Sequence, residues 1–300
     1  MSDTLRGTGV ALITPFLADN SIDYSSLAKL IEHQIDGGVD YLVILGTTGE
    51  TATISDLDRF AILDFVAEKT AGRIPLVAGF GGNDTAHVIE SLRSYKKLDA
   101  YFAILSVCPY YNRPNQEGLY LHYRAIAESC DIPIILYNVP SRTGCNLEPA
   151  TVKRLADAFS HIVGVKEASG DLTQIMEICQ QRRDDFLVIS GDDIMTLPMM
   201  SFGIDGLISV LGNALPYEIS TMVRCGLNGE LEKARDCHFS LLRMMHLIFE
   251  EGNPVGVKAL MSEMGLCENA LRLPLAKSSA MLLEKIKQES QVILENPVAS

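Results

Sequence analysis

The stretch Ile162-Val163-Gly164-Val165-Lys166-Glu167-Ala168-Ser169 runs through four small or apolar residues before reaching a lysine. A short apolar run without alternation suits a parallel strand covered on both faces. Lysine is a poor guest there, because apolar neighbours do not replace the hydration its ammonium gives up. Taken alone, the stretch reads more readily as an edge strand with its lysine in solvent. The other reading is chemical. Burial favours the uncharged form of an amine, and an uncharged amine facing a pocket attacks carbonyls, the starting condition for Schiff-base chemistry. A second copy of the tripeptide, Gly256-Val257-Lys258, serves as an internal control. Asn253 as N-cap and Pro254 at the first helical position predict a helix over 255–264, with Lys258 on a helical turn and its head solvated. Only Lys166 falls near the end of a strand-like run.

Seven comparable runs surround it, at 9–16, 40–46, 75–81, 100–109, 133–140, 186–193 and 206–212. Helix-patterned segments intervene at 24–37, 55–70, 85–97, 116–129, 149–159, 172–181 and 194–202. Strand and helix alternating every ~25–30 residues is the mark of βα units and a parallel sheet. Eight units predict an α/β chain closed into a (β/α)8 TIM barrel. An open doubly wound sheet lacks its fingerprint: Gly79-Phe-Gly-Gly-Asn83 does not match the dinucleotide motif, and Gly46-Thr-Thr-Gly-Glu-Thr51 lacks the lysine of a P-loop. About 90 residues follow the eighth run, more than one closing helix requires. The segment 215–225 supplies that helix, and 229–250, 253–264 and 277–289 form an appended helical segment. The expected division is a catalytic barrel over 1–228 and a C-terminal helical domain over 229–300, with a poorly ordered tail from 291.

The chain has 300 residues, 47% of them hydrophobic, and a net charge of −13. That balance argues against nucleic acid, whose phosphates call for a basic patch. Anionic substrates remain open to it, provided their cationic contacts are local. No apolar run approaches the ~20 residues of a membrane span, and the first residues lack the charged-then-apolar layout of a signal peptide. The seven cysteines include no Cys-x-x-Cys. They read as reduced packing thiols of a cytoplasmic protein, with Cys145 near the chemistry but more readily a packing residue.

In a (β/α)8 barrel the strand C-termini carry the chemistry. The unusual residues collect there: Gly46-Thr47-Thr48-Gly49-Glu50 after the second run, Pro109-Tyr110-Tyr111-Asn112 after the fourth, Tyr137-Asn-Val-Pro-Ser-Arg142-Thr-Gly144 from the fifth, Lys166 in the sixth, Gly191-Asp192-Asp193 after the seventh. Each has an ordinary reading as turn, rim packing or, for Asp192 and Asp193, helix cap. Their convergence around one lysine in an apolar run favours a site. The six histidines show no metal-ligand spacing, and no Gly-x-Ser-x-Gly is present.

Taken together these motifs, continuing to Leu271-Arg-Leu-Pro274, resemble the lysine-dependent, pyruvate-using barrel aldolases and, within them, the dihydrodipicolinate synthase family. The resemblance spans nearly the whole chain. It implies that Lys166 forms an imine with pyruvate, that Tyr137 moves protons at that centre, and that Thr47 and Tyr111 complete a hydroxyl relay, Tyr111 reaching a neighbouring subunit. It implies that Thr48, the Ile208 carbonyl region and Gly191 hold pyruvate, and that Arg142 receives the carboxylate of aspartate 4-semialdehyde. It further implies a homotetramer of paired dimers, with neither metal nor organic cofactor. The Gly-Thr-Thr-Gly-Glu turn and Arg142 separate the chain from sugar-acid aldolases that share the imine, and a pyruvate-binding barrel without catalysis is the reading from another class. At one place the pattern departs. Lysine-inhibited members carry histidine, histidine and glutamate where this chain has Asp56, Arg59 and His87, which predicts weak feedback by lysine.

Overall fold

The computed structural model describes residues 2–295. Eight strands close a parallel barrel in chain order: β1 (Gly7–Ala11), β2 (Tyr41–Ile44), β3 (Leu76–Gly79), β4 (Ala103–Val107), β5 (Ile134–Asn138), β6 (Ile162–Glu167), β7 (Leu187–Ser190) and β8 (Gly206–Ser209), the last returning to β1. All eight expected runs therefore become strands, and each ends earlier than its apolar run. Leu12, Ile13 and Phe16 show why. They are buried in the layer outside the barrel although they lie beyond β1, so apolarity continues where ladder pairing has stopped.

Around the barrel run α1 (Tyr24–Asp36), α2 (Asp56–Thr70), α3 (Thr85–Ser94), α4 (Gln116–Ala127), α5 (Pro140–Thr143), α6 (Pro149–Ala158), α7 (Leu172–Gln181), α8 (Thr196–Met200) and α9 (Pro216–Leu227). Most begin on a side-chain oxygen that takes an orphan N–H: Asp23 from Ser26, Ser55 from Asp58, Asn115 from Gly118, Asp171 from Thr173. The single turn α5 was not among the expected helices. It follows β5 directly and ends on Gly144 in the left-handed region. Neither aspartate caps α8, whose cap position is held by Met195. Asp192 accepts from the amides of Ile194 and Met195 in the turn before that helix. Asp193 takes no part in that turn. It lies buried and binds Ser209 Oγ and the amides of Val210 and Leu211, fixing the turn after β8.

Two apolar layers result. Tyr41, Val43, Val77, Leu105, Ile135, Tyr137, Ile189 and Ile208 fill the barrel interior. A second layer between strands and helices runs on without a break into the C-terminal segment through Leu241, Met245 and Ile286. That segment comprises α10 (Leu231–Glu250), α11 (Val255–Glu263) and α12 (Ala280–Glu295). Residues 291–295 extend α12 rather than forming a loose tail; 296–300 lie outside the described residues.

Two expectations about α11 are corrected. Pro254 holds the cap position, and Asn253 sends its side chain to Thr48 instead of to the helix. Lys258 is not solvated: it is fully buried, and its Nζ lies 2.5 Å from Glu50 Oε1. A helix tucked under the barrel mouth, with a carboxylate within reach, overrides the usual exposure of a helical lysine.

Candidate active site

Lys166 reaches the barrel interior because of one extra residue. Side chains alternate across a strand, and Ile162 belongs to the outer layer. Strict alternation from Ile162 would send Lys166 outward as well. The β5/β6 ladder instead shifts register between Ile134 and Ile135, pairing them with Ile162 and Gly164 and leaving Val163 unpaired. After the shift Val165 pairs with Leu136 on the outside, and Lys166 pairs with Tyr137 on the inside. Gly164 permits the bend, since a Cβ there would meet the Leu187 carbonyl oxygen at 2.8 Å.

Lys166 is 4% exposed, and its Nζ lies 4.4 Å from the Tyr137 ring centroid. Among the described residues it makes no ion pair. Its neighbour Glu167 faces the opposite side and is buried against neutral donors: Asn138 Nδ2 (3.1 Å), the Ser169 amide (2.7 Å) and Gln174 Nε2 (3.2 Å). Burial pushes the Glu167 carboxyl up, and these hydrogen bonds oppose the push. Gly191 completes the seat. A Cβ there would stand 2.8 Å from Ala168 Cβ and 2.9 Å from Lys166 Cε.

The turn carrying Thr47 and Thr48 is two successive 3-10 turns, Thr47–Gly49 and Thr51–Thr53, joined at Glu50 with φ of 54°. Thr14 Oγ1 donates to the Gly49 carbonyl (2.7 Å), fastening the turn to the segment after β1. The opening N–H groups of such a turn have no intrahelical acceptor, which suits an anion. Thr47 and Tyr137 line a small cavity of about 40 Å³. Thr47 also lines a larger one of about 450 Å³, shared with Tyr110, Arg142, Asp56, Arg59 and His87. Arg142 is carried by α5. Ile208 is buried in the interior layer beside β1, followed at once by the turn that Asp193 holds.

Tyr111 stands apart, 89% exposed at φ of 73°. Its amide donates to the Thr143 carbonyl at 3.4 Å, and Arg113 Nε donates to Gly144 O at 2.8 Å, so its loop leans on α5. The geometry thus gathers Lys166, Tyr137 and Gly191, and it brings Thr47 and Arg142 to one cavity. It does not bring Tyr111 into the cavity of its own chain. Sequence reading gave Asn253 and Asp193 the role of helix caps and Lys258 that of a solvated helical lysine, and missed their contacts. Their partners lie 205, 208 and 16 residues away, and no local pattern signals the first two contacts.

In the larger cavity Asp56 is already engaged. Arg59 Nε lies 3.7 Å from its Oδ1, and His87 Nε2 lies 4.0 Å from its Oδ2. Arg59 Nη1 also donates to the Gly79 carbonyl (3.3 Å).

A lysine presented inside a barrel beside a tyrosine, with Thr47 and Arg142 lining a cavity at the strand ends, is the arrangement of a lyase of the class I aldolase type. Comparison with known proteins narrows the class. The model of the dihydrodipicolinate synthetase family matches residues 4–295, and the chain belongs to that family. A 4-hydroxy-tetrahydrodipicolinate synthase of Parabacteroides distasonis is 48% identical, over 95% of each chain. One of Flavobacterium psychrophilum is 48% identical over 93% of this chain and 95% of the relative. The solved 4-hydroxy-tetrahydrodipicolinate synthase of Methylacidiphilum fumariolicum SolV superposes with a TM-score of 0.94 at 40% identity, over 97% of this chain and 96% of that one. The reaction of the family joins pyruvate to aspartate semialdehyde in lysine and diaminopimelate biosynthesis.

The crowding at Gly191 can be tested directly. Gly191→Ala should force Lys166 off its seat and slow borohydride trapping of the pyruvate imine by about tenfold or more, because misplacement near 1 Å costs rate steeply. The melting temperature should fall by only a few degrees. Trapping at the unchanged rate would show that this contact does not set the amine.

Proposed function

We propose that the chain condenses pyruvate with L-aspartate 4-semialdehyde to 4-hydroxy-tetrahydrodipicolinate, with Lys166 as the imine-forming amine. The observation that carries this reading is Lys166 inside the barrel, almost wholly buried, set against Tyr137 and, among the described residues, unpaired with any carboxylate. Its Nζ adds to the C2 carbonyl of pyruvate, and water leaves as the imine forms. The iminium draws electrons from C3, so a methyl proton is lost and an enamine results. The enamine carbon attacks the aldehyde of the second substrate, forming the C–C bond. The α-amine of that substrate then adds to C2 and expels Lys166 as the ring closes.

Tyr137, cross-strand partner of Lys166, carries protons to and from C2, work that contributes typically ~10²–10⁴-fold to rate. Thr47 and Tyr111 extend the relay. Because Tyr111 is exposed in its own chain, it serves a neighbouring copy, which makes a dimer the smallest complete catalyst; a tetramer of two such dimers is the proposed assembly. Thr48, Gly191 and the Ile208 carbonyl region hold pyruvate. Arg142 takes the carboxylate of the semialdehyde, for which a planar guanidinium is suited. In this scheme the covalent Lys166–pyruvate imine does the work of a cofactor, and no metal or organic group takes part. The proposed place of action is the cytoplasm; among the described residues no helix is long and apolar enough to cross a membrane.

Three outcomes test the scheme. Borohydride reduction with pyruvate should add one pyruvate-derived mass at Lys166, and Lys166→Ala should lose both the adduct and nearly all turnover. An adduct mapped to Lys258 would mean the wrong Gly-Val-Lys was chosen, and turnover of N-acetylneuraminate in place of the semialdehyde would move the chain to the sugar-acid aldolases. Arg142→Ala should leave the adduct intact while lowering kcat/KM for the semialdehyde by about ten- to a hundredfold, the worth of a charged hydrogen-bonded contact of ~1.5–3 kcal/mol. Equal loss of both steps would assign Arg142 to shaping the mouth.

Lysine control follows from the larger cavity. An incoming lysine needs an acceptor for its α-ammonium, yet Asp56 already lies between Arg59 and His87, and His87 offers no carboxylate. An unpaired desolvated ammonium is penalised by several kcal/mol. L-lysine should therefore inhibit little at millimolar concentration and subsaturating pyruvate. A sharp fall in rate at sub-millimolar lysine would show that other groups complete the pocket.

A further inference from the structure

Thr48 is tied to a residue 205 positions away: Asn253 Nδ2 donates to Thr48 Oγ1 at 3.0 Å, with both residues buried. When the hydroxyl oxygen accepts this bond, its own proton stays free to point at a substrate carboxylate. Without the bond, the hydroxyl is free to turn elsewhere. The Asn253 carbonyl lies 3.5 Å from Arg142 Nη2, so the same residue touches groups assigned to each of the two substrates. Asn253 Oδ1 has no hydrogen-bond partner among the described residues. The end of the amide that is satisfied is thus the one facing Thr48.

The same turn is held from below. Glu50, at its left-handed junction, accepts from Lys258 Nζ (2.5 Å) and from the Arg272 amide (3.1 Å). Lys258 Nζ also donates to the Ala270 carbonyl (2.9 Å), and Arg272 Nη1 donates to Thr53 O (2.9 Å) on the second 3-10 turn. Burial lowers the Lys258 amine toward neutrality, and Glu50 opposes it. α11 and the segment after it thereby grip the Thr47–Thr53 region at its side chains and its backbone.

We infer that Asn253 is a positioning residue for pyruvate binding, orienting the Thr48 hydroxyl, with the buried Lys258–Glu50 pair setting the height of the turn on which Thr48 stands. The inference rests on the proposed assignment of Thr48 to pyruvate binding. Its test compares steady-state kinetics of the full chain with those of Asn253→Ala, Asn253→Asp, Thr48→Val and the Asn253→Ala/Thr48→Val double variant. Asn253→Ala should raise KM for pyruvate about tenfold with kcat within threefold, the pattern of a lost ground-state contact. Asn253→Asp keeps the shape but reverses the hydrogen bond, so Thr48 must donate its proton inward; KM should rise further than in the alanine variant. The double variant should be no worse than Thr48→Val, because the asparagine acts through that hydroxyl. Glu50→Gln, nearly isosteric, should also raise KM for pyruvate more than it lowers kcat.

Effects of Asn253→Ala and Thr48→Val that multiply in full would overturn the inference, as would an Asn253→Asp variant with unaltered KM. A loss in the asparagine variants that falls on kcat alone would make the role structural and overturn it too. If Thr48→Val itself leaves KM for pyruvate unchanged, the assignment of Thr48 fails first and the inference falls with it; the single variants tell these failures apart.

Discussion

Everything chemical in this barrel depends on which side of β6 each residue leaves. Alternation across a strand is strict, and a displacement of one residue exchanges the two faces. Lys166 and Glu167 are consecutive, so the two faces of the strand receive opposite charges. The unpaired Val163 settles the assignment, sending the amine inward to Tyr137 and the carboxylate outward to Asn138 and Gln174. Without that extra residue strict alternation from Ile162 would send Glu167 inward and Lys166 toward the helices.

The outward carboxylates matter as much as the inward amine. Glu167 and Asp193 both lie next to the site in sequence, and among the described residues neither makes an ion pair with Lys166. Both are instead buried against neutral donors: Glu167 against amides of side chain and backbone, Asp193 against Ser209 and the amides of Val210 and Leu211. Burying a carboxylate without a cation is unfavourable, and burial pushes both groups up. Several hydrogen bonds to each offset that cost. The interior around Lys166 is thereby left to apolar side chains and the tyrosines Tyr41 and Tyr137.

The parts of this design that can be read locally were legible in the sequence. Each of the eight strands announces itself by an apolar run, and the N-cap residues Asp23, Ser55, Asn115 and Asp171 fall where the helices begin. Run lengths were overstated, since Leu12, Ile13 and Phe16 are apolar for the outer layer and not for the ladder. Lys166 was found by its apolar surroundings, but the register shift that aims it needs the partner strand to be seen. Asn253 looked like an N-cap because asparagine before proline usually is one; its real partner, Thr48, lies at the far end of the chain's path. The turn α5 was invisible because four residues carry no helical period.

The two Gly-Val-Lys tripeptides condense the lesson into one comparison. Both lysines are buried and both lie over an aromatic ring, Lys166 at 4.4 Å from Tyr137 and Lys258 at 4.3 Å from Phe16. The ring therefore does not distinguish them, nor does burial. What differs is a carboxylate: Glu50 stands 2.5 Å from Lys258 and makes it one half of a buried pair, whereas Glu167, the carboxylate beside Lys166 in sequence, is turned to Asn138 and Gln174. A paired ammonium has its charge bound up in holding two segments together, and removing one partner of such a pair is strongly destabilising. An unpaired amine at a barrel mouth is available to a carbonyl. In the proposed scheme the chain uses one tripeptide for a fastener and for a nucleophile, and the pairing with Glu50 marks Lys258 as the fastener.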